Sequence, residues 1–266
     1  MPAVQPARLK IQVAHLLELF RLPEQFNDAL HDLLSLYANR TQRSGETGQI
    51  RPIIPSYDPP IPVIRLIQTE IRSLILSEPQ SALELCDSLW KENWWEFRTL
   101  AAYILGQIPL DLYTKIIVRL NNWLEENLEE NLIKEVGHLA TKRIQAENQN
   151  QFFIWVQTIL ARPSIRSKKT ALYLITKFSE QPNFENLPAI FSVISPFIRI
   201  SPPEIRPDVL ALLMVLIERS PNEIAFIFRQ SLESSENPDT NWFIRKTITK
   251  FPLDLRDGLL PAARKI

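Results

Sequence analysis

The sequence predicts an all-α chain, a right-handed α-α superhelix built from about six stacked helix pairs. Glycine occurs at five positions and proline at 21, so the positive-φ turns on which hairpin-rich β architectures depend are scarce. Many of the prolines stand where a helix should begin. An apolar residue followed by a basic one recurs near expected helix starts: Ile64-Arg65, Phe97-Arg98, Ile133-Lys134, Ile165-Arg166, Ile205-Arg206 and Ile244-Arg245. The spacings are 33, 36, 32, 40 and 39 residues, a period that belongs to helix-pair repeats. Each occurrence is expected to open the second helix of a pair.

Taken in order, residues 1–38 predict an N-terminal helical hairpin, Leu9 to Phe20 and then Glu24 to Tyr37, that caps the stack. Residues 39–60 predict a loop or linker, because Gly45, Gly48 and prolines 52, 55, 59 and 60 interrupt helical periodicity. Residues 61–266 form the repeat domain. Within it Leu112, Ile116, Ile117, Leu120, Trp123 and Leu124 make one apolar stripe, the mark of a helix with a wet face. Val209, Leu210, Leu212, Leu213, Leu216 and Ile217 instead cover most of a helix circumference, which predicts burial on two sides. Ser201-Pro202-Pro203-Glu204 and Ser220-Pro221-Asn222-Glu223 each offer a serine N-cap, proline at the first helical position and a glutamate to complete a capping box.

Lys plus Arg and Asp plus Glu both number 30, so no net charge steers the chain toward nucleic acid or an anionic membrane, and any basic surface must be local. The longest apolar stretch, Val209 to Ile217, is far shorter than the roughly 20 residues a membrane helix needs. Arg8 and Lys10 are followed by no apolar run with a cleavage site. Cys86, the single cysteine, lies in an apolar helical run as a small buried hydrophobe would, which suits a reducing compartment; the expected location is the cytoplasm. His15, His31 and His138 lack metal-ligand spacing, and the sequence carries no phosphate-cradling glycine loop or nucleophile elbow. No metal and no cofactor are expected.

The variable repeat length suits the irregular HEAT-like class. From about Ile61 to Leu255 the order of features resembles the HEAT-like superfamily that includes the alkylpurine DNA glycosylases, the DNA alkylation repair proteins. The resemblance is carried by Leu89-Trp90 followed by Trp95-Glu96-Phe97-Arg98 and Ala101-Ala102, by Trp155 ahead of Arg166 through Ala171, and by Trp242-Phe243-Ile244-Arg245-Lys246. It implies an armadillo-like helical repeat with a concave binding face. Catalytic members of that family place an aromatic residue and an aspartate one helical turn apart on this face, with a tryptophan from a later helix. An ungapped reading puts these positions at Glu130, Lys134 and near Lys250, and none of the three residues is retained. A carboxylate is needed to stabilise positive charge on the sugar as the glycosidic bond breaks, whereas lysine would oppose it. Glu130 and Glu135 are therefore the remaining catalytic candidates.

Residues 148–200 carry Arg162, Arg166, Lys168, Lys169, Lys177 and Arg199 against Glu180 and Glu185. Of these, Arg162, Arg166, Lys168 and Lys169, together with Lys134, Arg206, Arg245 and Lys246, are the nucleic-acid-binding candidates, with Arg166, Lys169, Lys134, Arg206 and Arg245 placed to form a basic ladder, although ion pairing with neighbouring repeats explains the same charges. Of the six tryptophans most are expected to pack between layers; Trp94, Trp95 and Trp242 are the aromatic candidates for stacking on a base. The acidic run Glu125, Glu126, Glu129, Glu130 and Glu135 reads as a solvated face or a surface for a basic protein. The expected function is that of a noncatalytic repeat scaffold holding a protein or DNA on its concave face, with a DNA-binding or glycosylase protein as the rival reading.

Overall fold

The computed structural model describes residues 5–39, 54–126, 128–182, 184, 186–234 and 236–264. Among them are fifteen α-helices and no strand, and the all-α prediction stands. The chain divides into two compact units, Met1–Gln149 and Asn150–Ile266.

In the first unit the helices are α1 (Pro6–Glu18), α2 (Pro23–Tyr37), α3 (Ile61–Ser77), α4 (Pro79–Lys91), α5 (Trp95–Leu105), α6 (Tyr113–Glu125), α7 (Glu130–Ala140) and α8 (Lys142–Glu147). Proline occupies the first position of α1, α2 and α4, where its missing N–H is not needed. α1, α3, α5 and α7 pack successively on one another, and α2 packs on α4. α6 joins α4 through the Trp90–Trp123 ring stack, with centroids 4.0 Å apart, and the Arg119–Asp87 ion pair. The N-terminal hairpin therefore continues both rows: α1 lies on α3, α2 lies on α4, and Arg21 pairs with Glu78 across them. Of the expected linker, residues 40–53 lie outside the described residues.

In the second unit α9 (Gln149–Leu160), α10 (Ile165–Ser179), α11 (Leu187–Arg199), α12 (Arg206–Arg219), α13 (Pro221–Glu233), α14 (Thr240–Thr247) and α15 (Leu253–Arg264) follow. α10, α12 and α14 pack in sequence, as do α11, α13 and α15. Phe152 of α9 meets Phe178 of α10 edge-on, with ring centroids 4.8 Å apart.

Five of the six apolar-basic pairs fall at or near the start of a helix, α3, α5 and α7 in one unit and α10 and α12 in the other; Ile244-Arg245 instead lies in the second half of the eight-residue α14. Their apolar members Phe97, Ile133, Ile205 and Ile244 are buried. The contrast between α6 and α12 is also present. α6 buries the stripe Ile116, Leu120, Trp123 and Leu124 and leaves Val118 exposed; α12 buries Val209, Leu212, Leu213, Leu216 and Ile217 and packs against α10, α11, α13 and α14.

The capping boxes do not form. Ser201 is too early, because Pro203–Ile205 is a 3₁₀ turn and α12 begins at Arg206. Ser220 does occupy the N-cap of α13, but at ψ 67° it is short of the extended backbone from which a hydroxyl reaches the next turn, and it makes no capping bond. The serine that caps is Ser164, whose Oγ accepts the Ser167 N–H at 3.4 Å at the start of α10.

Cys86 is fully buried, its Sγ donates to the Ala101 carbonyl at 3.2 Å, and burial pushes its thiol well above the ordinary value. Thiolate is the reactive form. A water-soluble thiol reagent is therefore expected to label Cys86 fully in denaturant and at least about a hundredfold more slowly without it. Among the described residues no helix is long and apolar enough to cross a membrane.

Candidate functional site

The sequence candidates fall in separate places. On α7, Lys134 Nζ donates to Glu130 Oε1 at 2.6 Å, one turn away, so the two positions expected to carry aromatic and carboxylate chemistry form an ion pair. Glu135 is half-buried on the same helix. On α10 and the turn before it, Lys168 Nζ donates to the Arg162 and Pro163 carbonyls at 2.7 and 3.3 Å. Arg166 and Lys169 are half-buried, and desolvation holds the Arg166 guanidinium below its usual value.

A tighter assembly forms where the α11–α12 loop meets the α13–α14 loop. Asp239, 6% exposed, accepts the Ser201 N–H at 2.7 Å and a guanidinium N–H of Arg206, whose Nε donates to the Ser201 carbonyl. Thr240 Oγ1 donates to the Ile198 carbonyl. Trp242 is half-buried beside this cluster, with the Arg206 guanidinium 5.9 Å and the Lys246 ammonium 5.8 Å from its ring centre. Arg206, Trp242 and Lys246 are thus brought together, while Arg245 points to solvent. Both the Ser201 Oγ and the Asn241 Oδ1 are buried without a partner.

The first unit holds a comparable motif. Arg98 of α5 lies over Trp90 at 5.0 Å, both groups meet the Glu126 carboxylate, and the Trp90 Nε1–H bond to it is 2.7 Å. In both units the basic residue of the recurring pair reaches an acid just before a later helix of its own row. Arg98 spans α5 to the loop before α7, and Arg206 spans α12 to the loop before α14. These charges tie neighbouring helices together, which is the ion-pairing use that the sequence also allowed.

The half-exposed tryptophans are Trp94, Trp95 and Trp242; Trp90, Trp123 and Trp155 are buried. Trp94 stacks on Tyr57, centroids 4.2 Å apart and planes 11° from parallel, and His31 meets both rings edge-on. His31 Nδ1 is 2.7 Å from Tyr57 Oη, and its Nε2 is 3.5 Å from Glu92. Glu96, 5% exposed, accepts from Ser56 Oγ at 2.6 Å and the Asp58 N–H at 2.9 Å, both on Oε1. Asp58 sits at φ 49°, a left-handed conformation that aspartate tolerates better than most residues. The Trp95 N–H donates to the Pro55 carbonyl and the Asn39 N–H to the Tyr57 carbonyl. Tyr57 is thereby held against α2 and α5. Burial, then the charges of Glu96, Asp32 and Glu92, raise its phenol above the ordinary value.

Sequence reasoning missed this cluster because the Tyr57 ring meets His31 from 26 positions away and Trp94 from 37. The one local signal is Glu24, Asp28 and Asp32, three acids one helical turn apart on α2. Among the described residues no group of three or more His, Cys, Asp or Glu is placed to hold a metal ion. No family model matches the chain, and no curated protein or solved structure matches it either.

Proposed function

We propose that this chain is a noncatalytic helical-repeat scaffold of the HEAT-like, armadillo-like kind, acting in the cytoplasm and holding a macromolecular partner. The observation that carries the reading is the row of motif-bearing helices in each unit, α3, α5 and α7 in one and α10, α12 and α14 in the other, each backed by a second row. Helix pairs repeated in this way wind into a right-handed α-α superhelix, and the concave face of such a stack is an extended binding surface. The carboxylates expected at a glycosylase centre argue in the same direction, since Glu130 is paired with Lys134.

A specific feature favours the second reading, a DNA-binding protein of the alkylation-repair type. Trp242 offers a half-exposed ring flanked by Arg206 and Lys246, the combination that stacks a base and holds a phosphate. Titration of labelled duplex DNA with the protein across a salt series separates the two. The scaffold reading for a protein partner expects weak binding that Trp242→Ala leaves unchanged. Tight binding, falling steeply with salt and weakened about tenfold or more by Trp242→Ala, overturns that preference in favour of DNA.

A further inference from the structure

We infer that the face formed by α2, the Tyr57 segment and the start of α5 binds an arginine-containing basic segment of a partner protein. The inference rests on the scaffold reading and names the chemistry of its partner. Glu24, Asp28 and Asp32 are exposed and stand one turn apart on one side of α2, and among the described residues none of the three makes an ion pair. Like charges at this spacing repel within a helix, so the folded chain carries an unfavourable interaction that a cation at this face relieves.

A second observation is independent of that stripe. The Glu96 side chain is buried, its Oε1 takes both available donors, and its Oε2 has no partner. Glu96 makes no ion pair. A buried carboxylate without a cation is costly, and this one lies under the Ser56–Asp58 backbone that presents the Tyr57 ring. Tyr57, between the two residues that donate to Glu96, stacks on Trp94, and both rings are half-exposed. Glu92, 37% exposed, adds a further carboxylate beside His31. Aromatic faces over negative charge are the chemistry that holds a guanidinium, which stacks on a ring while its N–H groups reach carboxylates. A nucleic acid is disfavoured here, because the same carboxylates repel phosphate.

The test is fluorescence anisotropy of the full chain with a labelled peptide of alternating arginine and glycine, and with its lysine counterpart, at low and physiological salt. The expected result is measurable binding of the arginine peptide. It should weaken about tenfold in Glu24→Gln/Asp28→Asn/Asp32→Asn and about threefold in Trp94→Ala, with a smaller Trp94 effect on the lysine peptide. A charge-matched control, Glu204→Gln/Glu218→Gln/Glu233→Gln, is expected to bind as the parent does. Because the surface acids contribute repulsion, Asp28→Asn/Asp32→Asn should raise the melting temperature by about 1–2 °C while binding falls, a combination that damage to the fold does not produce. Absence of binding at low salt overturns the inference, and so does equal loss in the control variant. If either happens while glycosylase chemistry is also absent, the scaffold reading stands and only its basic partner is removed.

Discussion

Gly106→Ala is expected to destabilise the protein by about 3 kcal/mol, lowering the melting temperature by about 8 °C. Gly106 follows α5, and its φ of −73° is ordinary, so the requirement for glycine is spatial rather than conformational. A Cβ built there falls 2.0 Å from the Leu139 carbonyl oxygen and 3.1 Å from the Ala140 Cα at the end of α7. Both obstacles are backbone, and neither can rotate away as a side chain would. The α5–α7 contact has to open, exposing the buried residues around it, among them Leu105, Leu139 and Ala140. Gly258 in α15 is the internal control, since nothing lies within 4 Å of a Cβ there. Gly258→Ala should gain about 0.5–1 kcal/mol through the better helix propensity of alanine. Thermal melts of the two variants followed by circular dichroism distinguish crowding from propensity.

Asp239→Ala is expected to cost about 2–3 kcal/mol. The change removes the acceptor for the buried Ser201 N–H and leaves the Arg206 guanidinium, which still donates to the Ser201 carbonyl, without its carboxylate partner. Arg206 is 30% exposed on its side chain, so water recovers part of the loss and the full penalty of a buried broken pair does not apply. Arg206→Ala should cost less, because Asp239 keeps the Ser201 N–H. Urea denaturation of both variants and of the double variant gives their coupling, expected near 1 kcal/mol or above; an additive pair would mean that the Arg206–Asp239 contact contributes little.

These variants bear on how much was legible in the residues. The recurring apolar-basic pairs marked helices because four of the six apolar members, Phe97, Ile133, Ile205 and Ile244, are core residues and Ile64 and Ile165 are half-buried, a requirement local enough to leave a pattern. The contrast between α6 and α12 was equally readable, since wet and dry circumferences differ in composition. The tryptophans sorted as expected where leucine and isoleucine accompany them at helical spacing. Helix starts were less legible: Ser201 and Ser220 have the composition of caps, yet the backbone enters α12 through a 3₁₀ turn and α13 at an unsuitable ψ. The Gly106 contact could not be read, because it depends on where α7 passes. The same holds for Tyr57, whose partners come from α2, α4 and the start of α5, and for Asp239, which serves Arg206 from 33 positions away.

Two uses of the repeated basic residues explain why the functional candidates looked alike in sequence. Arg98 and Arg206 reach Glu126 and Asp239 and join neighbouring helices. Lys246 and Arg245 remain on the surface. Charge alone does not separate a tie between helices from a phosphate contact; the position of the acid does.

The proposal that this is a scaffold without glycosylase chemistry meets its most direct test in single-turnover release of base from alkylated duplex DNA, with protein in excess. The account predicts release no faster than in the protein-free control, unchanged in Glu130→Gln and Glu135→Gln. Release above that control, abolished by either substitution, would contradict it and assign the carboxylate of α7 a catalytic role.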